Sequence, residues 1–363
     1  MKKLLVGIFV IIGAVLLIAA CSKTNQGATR QSVQEWDTSK PRKLDLPVKM
    51  VNGKRDLLFI YIMDMYSEGH VQEVMDVRER IELFNNELRP DLNISLVLMD
   101  SQVSIEKQLA DAEAAVAMNP DVVMINAVDT VGSIPAVETI WNAGIYVIDN
   151  RGVQTEKRDV FHIGTAESLV GEYIGDHVKN YLDSNPTARV NVGLIDGGPT
   201  YPEQSKRLDG IKALARTPPY DQRITILAEQ FGNWRTDTAM NVMEDWIQAY
   251  PTMNYLVTCS DEMAIGCVAA LRGANLLQNF RILSVNGALS GLTMLRDGII
   301  EITVGFNQKI AKATQIDAAI ALIDHTLEDK YYDVSREGTI PVTLANMEQF
   351  MRDTGFEFDG SSY

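Results

Sequence analysis

Only three cysteines, Cys21, Cys259 and Cys267, occur in 363 residues, and none forms a Cys-x-x-Cys pair. That argues against a disulfide scaffold and against a thiolate metal site. Cys259 and Cys267 lie among Leu256, Val257, Ala264, Ile265 and Val268, so they are expected to be buried free thiols. Histidine is also scarce. His70, His162, His177 and His325 are scattered and read as surface or structural residues, so no metal site is expected. Positive charge is in deficit, with 33 Lys and Arg against 48 Asp and Glu and a formal net charge of −15. This argues against nucleic-acid binding, which needs a basic footprint. The same charge fits a soluble domain held off an anionic lipid surface. The sequence has no Gly-x-Gly-x-x-Gly, no Gly-x-Ser-x-Gly, no phosphate loop and no Cys/His pair, so neither an enzyme nor a cofactor is expected.

Long apolar runs are likewise missing, with one exception. Leu4 to Ala20 is unbroken, preceded by Lys2 and Lys3, closed by Ala19-Ala20, and followed after Cys21 by polar Ser22 to Gly27. A charged start, an apolar middle and a small-residue exit make a secretory signal, and 17 residues lie at the short limit for a membrane span. Leu17-Ile18-Ala19-Ala20-Cys21 resembles the lipobox of bacterial lipoproteins. The resemblance implies that residues 1–20 are removed and that Cys21 carries lipid. It places the protein outside the cytoplasm, anchored to a bacterial membrane in the periplasm or at the cell surface. Each buried CH₂ of such an anchor contributes about 0.8 kcal/mol. Residues 21–54 lack periodicity and read as a tether.

From Leu57 onward, short apolar runs alternate with amphipathic helical stretches, the pattern of a parallel α/β sheet. Five strand candidates, Leu57–Met63, Ile94–Met99, Val122–Ile125, Tyr146–Ile148 and Val160–Ile163, precede a break near Gly164-Thr165. A second series follows, at Val190–Ile195, Ile224–Glu229, Tyr255–Thr258, Ile282–Val285 and Ile302–Val304. Two similar doubly wound lobes are expected. Ligands of such sheets bind at the carboxyl ends of the strands. The residues there are polar, planar or aromatic: Asp64 and Tyr66, Asn150-Arg151, Trp234, Ser260-Asp261, Asn286, Asn307. That composition suits an uncharged, hydroxyl-rich ligand.

Several motifs in this order make the chain resemble the periplasmic sugar-binding proteins of the galactose/glucose and ribose type, the solute receptors of ABC importers. Asp100-Ser101-Gln102, Ile125-Asn126-Ala127-Val128-Asp129 and Val147-Ile148-Asp149-Asn150-Arg151 are similar to family strand ends. So are Gly197-Gly198-Pro199-Thr200-Tyr201-Pro202-Glu203 with Arg207, and Ser260-Asp261-Glu262-Met263-Ala264-Ile265-Gly266. The likeness covers residues 57 to about 350. It implies a type I periplasmic-binding-protein fold, α/β, with two Rossmann-like lobes joined by three hinge crossovers. The N-terminal lobe would comprise 55–165 and 307–340, and the C-terminal lobe 166–306 and 341–363.

The resemblance also assigns roles. Trp234 would cover the C–H face of a sugar ring, with Tyr66 as the aromatic on the opposite face beside Asp64. Arg207 would donate a planar fork of hydrogen bonds, Glu203 would accept hydroxyl protons, and Tyr201 stands where the galactose type has His. Asn150 matches a strand-end amide, with Arg151 the alternative. Asn307 would fill the last hinge-proximal position, in competition with Phe306. Ser260 replaces the usual Asn and Asn286 the usual Asp, which shortens one contact and removes one charge. Asp129 and Asp261 read as a loop acceptor and a helix N-cap. The calcium loop of the galactose type has no counterpart, since Asp183-Ser184-Asn185-Pro186-Thr187-Ala188 lacks its carboxylates and turning Gly. The implied protein is a monomer that binds a monosaccharide, most simply a galactose- or glucose-like hexose, and delivers it to an ABC permease. A sugar sensor for chemotaxis or a two-component system, or a binder of another polyol or a nucleoside, is the alternative.

Overall fold

The computed structural model describes residues 40–199 and 202–358. Two sheets order this part of the chain. The first contains β1 (Lys49–Val51), β2 (Lys54–Met63), β3 (Leu92–Asp100), β4 (Val122–Ile125), β5 (Tyr146–Asp149) and β6 (Val160–Ile163). The second contains β7 (Val190–Asp196), β8 (Ile224–Phe231), β9 (Tyr255–Thr258), β10 (Arg281–Asn286) and β11 (Ile302–Phe306). β12 (Tyr331–Asp333) returns to the first sheet beside β6, and β13 (Thr339–Val342) to the second beside β11. The first sheet runs β1-β2-β4-β5-β6-β12 with β3 also on β2, and the second runs β13-β11-β10-β9-β7-β8. Every pairing is parallel except β1 with β2 and β11 with β13.

Helices connect most of the parallel strands, the usual form of a crossover, while a loop joins β5 to β6. They are α1 (Glu68–Leu83), α2 (Ile105–Ala117), α3 (Ile134–Asn142), α4 (Glu167–Ser184), α5 (Asp209–Leu214) and α6 (Thr236–Ala249). The chain continues with α7 (Asp261–Gly273), α8 (Leu289–Arg296), α9 (Gln308–Ile323), α10 (Ser335–Gly338) and α11 (Met347–Thr354). The period-2 geometry of β2 divides the first lobe's core in two. Phe59 and Tyr61 face a cluster with Val74, Val77 and Ile81 of α1 and Ile316 and Ile320 of α9. Ile60 and Ile62 face the opposite cluster, with Ala112 and Ala115 of α2 and Val137 and Ile140 of α3. One apolar cluster built around Val192, Leu194, Trp246, Leu256, Leu271 and Leu283 fills the second lobe. Cys259 and Cys267 are buried, free thiols within it, and burial raises both of their pKa values.

The chain passes between the sheets after β6, after β11 and between β12 and β13. The third passage lies at 334–338, a few residues before the expected Pro341, because Thr339–Val342 already pairs with β11.

The expected tether also ends earlier than residue 54. Asn52 and Gly53 have φ of +50° and +78° and close a tight hairpin, so Lys49–Val51 pairs with Lys54–Asp56. An Asn-Gly pair suits such a turn because both central residues need positive φ. Further back, Arg42 lies over the Trp141 ring at 3.3 Å and bonds Asp159 through Nε (2.9 Å) and Nη2 (2.7 Å). Its Nη1 donates to the Trp141 carbonyl, and the Leu44 N–H donates to the Tyr146 hydroxyl. Leu44 and Leu46 pack on the first lobe's core. Residues 42–46 are therefore a strap on the lobe. Asp159 is fully buried, and removing its cation leaves an uncompensated charge. Arg42→Ala is expected to lower the unfolding free energy by about 3 kcal/mol in urea denaturation. A loss too small to resolve would mean that the strap is dispensable.

Candidate functional site

The carboxyl ends of both sheets face one cleft of about 130 Å³, lined from both lobes and from the crossing segments. Trp234 enters it from the turn after β8. Asn233 and Trp234 both have positive φ, +52° and +59°, a conformation that costs a bulky L-residue about 1 kcal/mol or more. The indole lies directly on Gly197, where a Cβ would come within 1.6 Å of the ring, so only glycine fits beneath it. Strain of this kind concentrates at functional sites.

Arg207 closes the same wall. It is 4% exposed, and its Cζ lies 5.7 Å from the Trp234 ring centre and 5.3 Å from that of Phe306. Nε and Nη2 hold the two oxygens of Glu167 at 2.5 and 3.0 Å. Nη1 donates to the Cys259 carbonyl (2.7 Å) and to Asn286 Oδ1 (3.1 Å). Of the five N–H groups a guanidinium carries, one has no bond among the described residues. Ser260 lines the cleft while its Oγ accepts the Met263 N–H, so it, rather than Asp261, caps α7. Asp261 is fully buried instead and accepts bonds from Ser284, Thr303 and the Ala288 N–H. Asp129 accepts the N–H groups of Val131 and Gly132 in its turn.

The first lobe contributes amides and paired charges. Asn150 donates to Asn126 Oδ1 at 2.9 Å and accepts from Gln315 at 3.1 Å. Arg151 and His70 lie 3.4 and 3.2 Å from the carboxylate of Asp64. Burial alone would raise the Asp64 carboxyl, but Arg151 and His70 hold it below its ordinary value. Lys312 reaches Glu73 at 2.9 Å, and the Tyr61 hydroxyl donates to the same oxygen at 2.7 Å. Burial opposes the Glu73 charge, yet Lys312 leads a set of partners that keep its pKa far below normal. His162 is driven down to about 3 by burial and by Lys312, so it is neutral, and its Nε2 has no partner among the described residues.

Two of the expected residues do not line the cleft. Tyr66 is 53% exposed and lies outside the cleft lining, because its N–H is tied to Asp100 and the turn presents Asp64 and Met65 instead. Asn307 is used as the N-cap of α9, accepting the Lys309 N–H, and Phe306 lines the cleft in its place. Tyr201, the side chain of Glu203, and Cys21 lie outside the described residues. Glu73, Lys312 and Glu167 were missed because they project from helices rather than strand ends. Lys312 did carry a signal. It stands four residues before Ile316, on the face of α9 that packs into the core.

Trp234, Arg207, Asn150, Asn286, Ser260 and Asp64 thus meet in one interlobe cleft. Residues 65–327 match the model of the periplasmic binding protein domain. The chain belongs to the periplasmic binding protein family. It is 26% identical over 298 residues to a D-ribose/D-allose-binding protein of Pseudomonas aeruginosa, covering 79% of this chain and 82% of that one. A solute-binding protein of an ABC transporter from Bacillus halodurans, solved with myo-inositol, superposes with a TM-score of 0.70 at 20% identity. The alignment covers 84% of this chain and all of that one. The fructose-binding periplasmic domain of a hybrid two-component system also gives 0.70, at 17% identity, covering 82% of this chain and 94% of that one. These structures share the two-lobed α/β fold with parallel sheets.

Burial, with the neighbouring Glu262 charge adding to it, raises Asp261 to about 8 from its ordinary 3.8. A carboxyl raised on folding holds its proton more tightly in the native state, so the stability it contributes falls as pH rises between those values. Asp261→Asn is expected to remove this slope and to gain stability over wild type from pH 4 to 8. Parallel melting-temperature profiles for the two proteins would contradict it.

Proposed function

We propose that the protein captures a small, neutral polyhydroxylated ligand, a monosaccharide or a cyclitol, outside the cytoplasm and presents it to an ABC permease. Trp234, strained into the cleft over Gly197 and beside the buried Arg207, is the observation that carries this reading. An indole face removes the apolar C–H side of a ring from water, while a guanidinium and amides bind its hydroxyls. Three cations of the cleft are matched within the protein, Arg207 by Glu167, Lys312 by Glu73, and Arg151 by Asp64. These cations therefore call for no anionic ligand. Ligand bridging both lobes stabilises the closed form by its differential affinity, and a permease that reads this form receives the signal. Nothing in this scheme requires catalysis. Cys21 would hold the monomeric receptor to the membrane through lipid.

The sequence motifs favour a galactose- or glucose-like hexose, while relatives named for ribose and allose and a neighbour holding myo-inositol extend the candidates to other rings. The likeness to a periplasmic domain of a two-component system supports sensing as a second reading, in which the same closure is passed to a kinase. Calorimetric titration of the protein with ribose, allose, myo-inositol, galactose and glucose tests the binding. Saturable binding of one or more is expected, weakened about 30-fold or more by Trp234→Ala, as for an aromatic anchor contributing about 2 kcal/mol. Binding that is indifferent to this substitution, or no binding to any of the panel, would overturn the proposal.

A further inference from the structure

The helix α8 begins on the cleft rim of the second lobe without a cap of its own. Its N-cap residue is Ala288, which offers no side-chain acceptor and is among the weaker choices for that position. The first N–H groups of a helix have no intrahelical partner and need an acceptor. Asp261, from the same lobe, takes the N–H of Ala288 at 2.9 Å. The N–H of Ser290, the second residue of the helix, donates to Glu68 Oε1 at 2.9 Å, and Glu68 is the first residue of α1 in the other lobe. The two partners are 222 positions apart in sequence, and their bond spans the cleft. Beside it the Ser290 Oγ is buried with no partner among the described residues.

We propose that Glu68 is a latch, an affinity-determining residue that caps α8 only when the lobes are closed. This rests on the reading that the lobes close on a ligand. In the closed form a carboxylate meets the positive end of a helix, where dipole and unsatisfied N–H groups both favour it. When the lobes part, α8 loses this acceptor to water. The difference adds to closure whatever the ligand is. Glu68 therefore sets how tightly the protein holds its ligand rather than which ligand it holds.

The test separates the latch from direct ligand contact. Glu68→Ala removes the acceptor. Ser290→Pro removes the donor N–H, which has no helical partner to lose, in a first turn where proline is tolerated. Dissociation constants for ribose, allose and myo-inositol are measured on wild type, both variants and the double variant. About tenfold weaker binding is expected for each single variant, by the same factor for every sugar that binds, with faster dissociation. The double variant should be no weaker than either single one. Loss on Glu68→Ala alone, or a different factor for each sugar, would mean that Glu68 contacts the ligand and would overturn the latch. Amide hydrogen exchange is measured with a bound sugar at saturation, where the lobes are closed. Exchange at Ser290 should then be about tenfold faster in Glu68→Ala than in wild type while the β10 amides keep their protection. Equal rates at Ser290 in the two sugar-bound proteins would overturn the latch while leaving the ligand reading standing. Failure of every sugar to bind wild type would overturn the ligand reading, and the latch with it.

Discussion

A guanidinium buried to 4% exposure must be neutralised, and the second lobe is arranged around meeting that need at Arg207. Taking an isolated cation out of water costs several kcal/mol, and an ion pair offsets this only with good geometry and its remaining donors satisfied. Glu167 supplies both carboxylate oxygens, and the Cys259 carbonyl and the Asn286 amide take two more donors. These partners come from the start of α4, the end of β9 and the end of β10, so one side chain ties three strand-end loops together. Trp234 and Phe306 then pack around the same plane. Glu167 also follows the first passage between the lobes by only a few residues. The charge balance of the cleft is thereby fixed to the hinge.

The first lobe repeats the arrangement with the signs placed differently. Lys312 is the buried cation and Glu73 its carboxylate, with Tyr61 bonded to both. Lys312 belongs to α9, the helix that follows the second passage between the lobes. Each lobe therefore neutralises one buried cation, and in both cases one partner comes from the helix just past a crossing. The dielectric inside a closed cleft makes any unmatched charge costly. Both pairs lie within a single lobe, so neither depends on how the two lobes are spaced.

Much of this fold could be read in the chain because parallel strands buried on both faces appear as continuous apolar runs. All ten runs named from sequence are strands. Among the described residues, the three strands not read are short edge pieces, such as Tyr331–Asp333, or contain a breaker, such as Pro341 in β13. Proline is tolerated there because β13 is an edge strand. In the cleft, the strand-end rule found Trp234, Asn150, Asn286 and Asp64. It slipped by one residue at Tyr66 against Met65, and of the two alternatives Asn307 and Phe306 it is Phe306 that lines the cleft, since alternation stops where the strand ends and turn geometry takes over. Glu73, Lys312 and Glu167 were hidden because helix-to-cleft contacts depend on how helices pack on the sheet, which no local pattern records.

Contacts that recognise a ligand and contacts that close the protein need not be the same contacts. Arg207 and Asn286 are held by a bond within the second lobe, and Asn150 and Asn126 by one within the first. They can be preorganised, which reduces the ordering cost of binding. The bond from Ser290 to Glu68 instead joins one lobe to the other. A ligand shifts the equilibrium only by its differential affinity for the two forms. Any interaction that belongs to the closed form alone therefore raises the affinity for every ligand that permits closure, and discrimination is left to the walls of the cleft.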